Sequence, residues 1–149
     1  TTPIIKFLIN LKLDVKEMIF MVQEEVADRF SAKEGNKEYG SISLFLKYYF
    51  NVEKLFKVSK KCFDPIPKVE SAIIKFSERN NKLKMDEEKY FKLINDAFKM
   101  KRKTLKNNLK GYDLEKVSKV LESYGLDLTV RAESINLQCF VDIANELSK

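Results

Sequence analysis

The sequence contains no histidine. That removes Ser-His-Asp and Cys-His nucleophilic catalysis, paired-histidine zinc protease sites and Cys2His2 zinc fingers. Any chemistry must run without imidazole. Cysteine is scarce: Cys62 and Cys139 stand far apart and form no CxxC. Two free thiols in a reducing cytoplasm is the simple reading. Long apolar runs are missing as well. The longest is Met18 to Val22, far too short to span a bilayer. No stretch joins a charged start, an apolar centre and a small-residue cleavage site.

What remains is ordinary for a soluble globular protein. The 149 residues suffice for one domain or two small ones, and 44% hydrophobic content can build a real core. The formal net charge is +6. It is concentrated. Lys99, Lys101, Arg102, Lys103, Lys106 and Lys110 fall within twelve residues that hold no acid, so these six cations equal the whole excess. A localised basic block points to a polyanion such as nucleic acid more than a diffuse one does. The competing reading is a solvated helix face.

Two units emerge along the chain. The first runs from Thr1 to about Ser77, the second from about Glu78 to Lys149, with a polar linker over Ser77–Lys82. In the first, Pro3–Asn10 reads as a helix and Met18–Gln23 as a strand buried on both faces. Glu24–Ala32 and Ser41–Phe50 read as helices, the second with Ile42, Phe45, Leu46 and Tyr49 inward, and Gly35–Gly40 as a loop. Val52–Val58 and Val69–Phe76 read as strands. Strand, helix, helix, strand, strand is the tail of an α/β sheet, which needs more strands and crossovers upstream. This unit therefore reads as half a domain.

The second unit reads as all helical. Asp86, Asp113 and Asn136 are in place to cap three helices. The inner line of the first is Phe91, Ile94, Phe98, Leu105 and Leu109, but Lys101 and Arg102 stand where it should pass. That helix must leave the core, bend or break there. Gly111 and Gly125 are stop signals. Leu114, Val117 and Leu121, then Phe140, Ile143 and Leu147, face inward in the other two. The expected class is α/β followed by all-α.

The most informative stretch is Phe63-Asp64-Pro65-Ile66-Pro67-Lys68-Val69-Glu70-Ser71. Pro65 and Pro67 each fix φ, and each pushes the residue before it to extended geometry. The result is a stiff loop entering a strand. An enzyme acting on a base takes it out of its stack and grips it by π-stacking. Phe63 can supply that platform, at roughly 1–3 kcal/mol per stacked base, and Lys68 can meet a phosphate. The plainer reading makes Phe63 a core aromatic.

This segment resembles the F-x-P-x-P-K-V-[DE]-S motif of the ribosomal RNA adenine dimethyltransferases. Other blocks resemble that family in the same order: Gln23-Glu24-Glu25-Val26-Ala27-Asp28-Arg29-Phe30, Tyr39-Gly40-Ser41-Ile42-Ser43 with Tyr48-Tyr49, and Ala97-Phe98 followed by Lys101-Arg102-Lys103-Thr104-Leu105 and Asn108-Leu109. Arg131-Ala132-Glu133, then Phe140 and Ala144-Asn145, resemble the closing elements. The resemblance covers essentially the whole chain, and its tyrosine-glycine, basic and R-A-E blocks are similar to the bacterial small-subunit (KsgA-type) branch.

The resemblance implies the C-terminal half of a Rossmann-like methyltransferase domain and a helical RNA-binding domain. It implies transfer of methyl groups from S-adenosylmethionine to the exocyclic amines of two adjacent adenines. The partner it implies is small-subunit ribosomal RNA in an immature small ribosomal subunit, met by a monomer without metal or membrane. Phe63 takes the role of stacking on the target adenine, Pro65 and Pro67 that of stiffening its loop. Lys68, Lys101, Arg102, Lys103 and Lys106 become RNA contacts, with Tyr39 and Arg131 as weaker candidates; the competing readings are packing for Tyr39, and pairing with Glu133 or capping a helix for Arg131. The family's Asn-Leu-Pro-Tyr motif lies just before the segment similar to Thr1-Thr2-Pro3, and none of Gly35, Gly40, Gly111 and Gly125 forms a glycine-rich donor loop. The chain alone is thus expected neither to bind the donor well nor to methylate. Glu24 replaces a frequent lysine, and Lys101 an arginine, losing its planar fork. The rival readings are a noncatalytic RNA-binding module and a helical protein-interaction domain with an acidic partner.

Overall fold

A computed structural model of the chain describes residues 2–10, 15–79 and 86–149. Helix α1 (Thr2–Asn10) precedes strand β1 (Glu17–Gln23). Helices α2 (Glu24–Ser31) and α3 (Ser41–Tyr49) follow, then β2 (Phe50–Val58) and β3 (Ser71–Glu78). Four helices come next: α4 (Glu87–Ala97), α5 (Leu105–Asn108), α6 (Leu114–Ser123) and α7 (Leu137–Leu147). Single 3-10 turns stand at Lys60–Cys62 and Ala132–Ser134.

The sheet has the order β1-β3-β2, antiparallel at both junctions. Strand β3 is central, with Ala72, Ile74 and Phe76 buried in alternation. These meet Met18 and Val22 of β1, Ala27 and Phe30 of α2, Ile5 of α1 and Leu46 of α3 in one core. All three helices therefore contribute to the same side of the sheet. On the opposite side Met21, Ile73 and Phe56 lie in one cross-strand row. There Ile19, Met21 and Phe56 are 56%, 53% and 58% exposed. The expectation that β1 is buried on both faces is corrected here. A continuous apolar run says that both faces are greasy, not that both are covered.

A second core joins α4 to α7. It also takes Ala32, Tyr39, Leu44 and Tyr48 from the first half of the chain. Helix α3 thus serves two cores. Leu46 turns to the sheet while Leu44 and Tyr48 turn to the helices, and Ile42, Phe45 and Tyr49 are half-buried between. The single inward stripe expected for α3 is corrected accordingly. The caps form as expected. Asp86 accepts from Lys89 N, Asp113 from Lys116 N and Asn136 from Cys139 N. Gly125, with φ of +71°, ends α6 in the left-handed region that glycine favours. Ser77 and Glu78 of the expected linker belong to β3. Residues 80–82 of it lie outside the described residues.

Helix α4 does not continue through the basic block. It stops at Ala97, residues 98–104 turn, and only Leu105–Asn108 resume helical structure. The break expected from Lys101 and Arg102 is present, placed at Phe98. The inner face is also rotated: Tyr90, Leu93, Ile94 and Ala97 are buried, with Phe91 and Phe98 half-buried beside them.

Candidate nucleic-acid interface

Two surfaces carry the candidate residues. The first is the loop between β2 and β3. Ser59 begins it, and its side chain accepts from Lys61 N. The N–H groups of Cys62 and Phe63 donate to Ser59 O and Lys60 O at 3.0 and 3.3 Å, which winds the turn ahead of Phe63. The far end is tied back to the near end. The Glu70 carboxylate accepts from Lys60 N–H, and Glu70 O accepts from Glu24 N at 3.0 Å. The loop is thereby closed at its base, although it spans about a dozen residues. Phe63 is extended, at φ −115° and ψ 149°, and half-buried. Pro65 follows a cis peptide bond and is exposed, and Pro67 is half-buried. Ile66, Lys68 and Val69 project into solvent. Lys68 forms no ion pair among the described residues.

The second surface is the basic turn. Lys99, Lys101, Arg102, Lys103, Lys106 and Lys110 are all exposed. Arg102, Lys103 and Lys106 pair with no carboxylate among the described residues. Lys101 Nζ donates to Lys37 O at 3.0 Å. The nearest preceding acid, Asp96, is already engaged. Tyr112 Oη donates to it at 2.6 Å and Lys92 Nζ at 3.0 Å. The tyrosine hydroxyl first, then Lys92, hold its carboxyl below the usual carboxylate range. Arg102, Lys103 and Lys106 therefore face water.

Backbone and amide bonds hold this turn in shape. Asn108 Nδ2 donates to Ala97 O at 2.8 Å and to Met100 O at 3.0 Å. One side chain thus serves carbonyls left open where α4 ends. Lys103 N bonds Met100 O at 2.9 Å. Leu105 N and Lys106 N bond Val130 O and Leu128 O at 2.8 and 3.1 Å, pinning the block to the segment after α6.

The tyrosine-glycine and R-A-E blocks meet beside it and act as framework. Tyr39 is 2% exposed, and its hydroxyl donates to Ile135 O at 2.7 Å. Burial first, then the charge of Glu34, raises its phenol above its ordinary value. Lys47 Nζ bonds Ala32 O and lies 5.5 Å from the Tyr39 ring centroid. Gly40 N donates to Ser43 Oγ at 3.2 Å, and that hydroxyl donates to Arg29 O. Gly35 N donates to Glu133 O at 2.7 Å, and Ala132 is buried. Arg131 is exposed and does not pair with Glu133; its carbonyl accepts from Ser134 N at 3.1 Å. Glu24 faces Lys54 and Lys57 at 3.8 and 3.7 Å. Sequence reasoning passed over Asn108 and Glu70 as functional supports.

The model of the family described as ribosomal RNA adenine dimethylase matches residues 1–149. The chain belongs to that family. It is 39% identical to the ribosomal RNA small subunit methyltransferase A of Cytophaga hutchinsonii, over 99% of this chain and 56% of that protein. It is 40% identical to the protein of the same name from Saccharophagus degradans, over 99% and 54%. The chain thus spans about half the length of these curated relatives. The fold is similar to a dimethyladenosine transferase from Plasmodium falciparum, with TM-score 0.83 and 23% identity over 99% of this chain and 62% of that one. It is also similar to the 23S rRNA methyltransferase ErmE, with TM-score 0.72 and 18% identity over 98% and 62%.

The described residues lack the glycine turn of a donor site of the nucleotide-binding α/β kind. Among the described residues one strand runs into a helix at the required kind of turn. It passes directly from Gln23 to Glu24 without a glycine, so backbone cannot approach a nucleoside closely there. No group of three or more Cys, Asp or Glu side chains that could hold a metal ion occurs among the described residues.

Proposed function

We propose that this chain is the RNA-facing part of an enzyme that dimethylates two adjacent adenines of small-subunit ribosomal RNA with S-adenosylmethionine. Residues up to about 77 form part of the catalytic domain, and 78–149 form the helical RNA-binding domain. The observation that carries the reading is the occurrence together of Phe63, held half-exposed on a closed loop, and a basic turn in which Arg102, Lys103 and Lys106 pair with no carboxylate among the described residues. The cross-strand row of Met21, Ile73 and Phe56, exposed at Met21 and Phe56, fits a sheet that a longer polypeptide would cover.

An adenine exocyclic amine is a poor nucleophile because its lone pair is delocalised into the ring. Holding it in line needs a fixed platform more than a strong base, and positioning supplies most of the rate. Phe63 stacks on the flipped adenine, and Pro65 and Pro67 restrict the loop that aims it. Lys68 meets a neighbouring phosphate. Lys101, Arg102, Lys103 and Lys106 bind backbone phosphates, which sets register and affinity while RNA shape supplies selectivity. The partner is an immature small subunit in the cytoplasm, and the enzyme acts as a monomer. The donor would be held by chain beyond these 149 residues.

The test is methyl incorporation into small-subunit particles by the intact protein. F63A should lower kcat/KM by roughly 5–150-fold, the value of one stacked base, and F63Y should keep most activity. Activity of F63A within twofold of the parent would remove Phe63 from the site. A noncatalytic RNA-binding module is the second reading, favoured by the glycine-free Gln23–Glu24 junction. Calorimetry of the 149 residues with the donor should show no binding. RNA binding without methylation by the intact protein would decide for the second reading.

A further inference from the structure

The loop that presents Phe63 carries cations besides Lys68. Between Lys57 and Lys68 stand Lys57, Lys60, Lys61 and Lys68 against Asp64 alone. Lys57 is taken up by Glu24 at 3.7 Å. Lys60 and Lys61 are not taken up. Lys61 is exposed and Lys60 half-exposed, and neither pairs with Asp64, Glu70 or any other carboxylate among the described residues. The Glu70 carboxylate faces this turn but is committed to the backbone N–H of Lys60. That bond brings the two ends of the loop together, so the Lys60–Lys61 turn lies beside the Lys68–Glu70 return.

The turn itself sets their place. In a 3-10 turn an N–H bonds the carbonyl three residues back. Lys60 and Phe63 have that spacing, with Phe63 closing the turn through its bond to Lys60 O. The Lys60 and Phe63 backbones therefore lie against each other, and the exposed Lys61 belongs to the same turn. A base stacked on Phe63 brings its own sugar-phosphate along, within reach of long flexible cations.

Resting on the functional reading above, we propose that Lys60 and Lys61 form a second phosphate-binding surface that grips the RNA strand next to the nucleotide stacked on Phe63. It is separate from the basic turn of the helical half. That turn docks the folded RNA, and this one seizes the single strand at the point of reaction.

The test uses the intact protein and a labelled hairpin RNA with two adjacent adenines in its loop, titrated at several salt concentrations. Variants are K60A/K61A, the charge-keeping K60R/K61R, and K101A/R102A/K103A/K106A. Two lost contacts to a single strand should reduce the slope of log affinity against log salt by about 1.4. K60R/K61R should restore the slope. In methylation assays K60A/K61A should raise KM several-fold with kcat within twofold, because these contacts bind without reacting. An unchanged slope for K60A/K61A, while the basic-turn variant flattens its own, overturns this proposal and leaves the functional reading intact. If neither variant changes the slope, both fall.

Discussion

Removing the Asn108 side chain should loosen the basic turn without touching a single charge. Its Nδ2 donates to Ala97 O and Met100 O at 2.8 and 3.0 Å, the first part-buried and the second exposed. A net hydrogen bond contributes about 0.5–1.5 kcal/mol, with the exposed one at the low end. N108A should therefore cost about 1.5 kcal/mol. For a domain of this size that lowers Tm by about 3–6 °C. N108D should be at least as damaging, because a carboxylate cannot donate and sets a charge against two carbonyl oxygens. Asn107 is the control. It is exposed and its side chain donates to Thr104 Oγ1 at 3.4 Å, so N107A should stay within about 0.5 kcal/mol. Thermal melts give the stabilities, and RNA titration of the same samples gives the consequence. N108A should bind RNA several-fold more weakly, since Lys101, Arg102 and Lys103 must be ordered on binding. Equal melting of N108A and N107A would refute the clamp.

Three further outcomes follow from the same geometry. Tyr39→Phe leaves a buried Ile135 carbonyl without its donor, so it should cost about 1–2 kcal/mol and lower Tm by roughly 2–8 °C. A melt unchanged within 1 °C would contradict the tether. Thiol alkylation of the native chain, read by mass spectrometry, should modify exposed Cys62 and spare Cys139. Cys139 is buried, with its thiol pushed up to about 12 by desolvation and by the charge of Asp142. RNA should then protect Cys62, which stands beside Phe63; modification at equal rates with and without RNA would place the strand elsewhere.

The features legible in the sequence were those set by a few neighbouring residues. Asp86, Asp113 and Asn136 cap helices through N–H groups three positions away, so their pattern is local. Lys101 and Arg102 in an apolar line announced the break after α4, because a charge cannot occupy a core position. The clamp that shapes the break was hidden, since Asn108 acts on a carbonyl eleven residues back. Tyr39 and Ile135 are 96 residues apart, and no local pattern pairs them. The two prolines marked the Phe63 loop as stiff, but its closure by Glu70 depends on the strands returning side by side. Periodicity also could not tell which face of β1 has a partner. Met18 and Val22 meet helices while Ile19 and Met21 do not, although all four are equally apolar in kind.

The most direct test of the account is RNA binding by the 149-residue chain itself. Small-subunit ribosomal RNA is titrated at several salt concentrations against the parent and against K101A/R102A/K103A/K106A. The account predicts binding by the parent, and for the variant weaker binding with a salt slope lower by about 3, one phosphate contact per cation. Equally weak binding by both, with equal slopes, would make the basic turn a solvated surface and contradict the assignment of this half as the RNA-docking part.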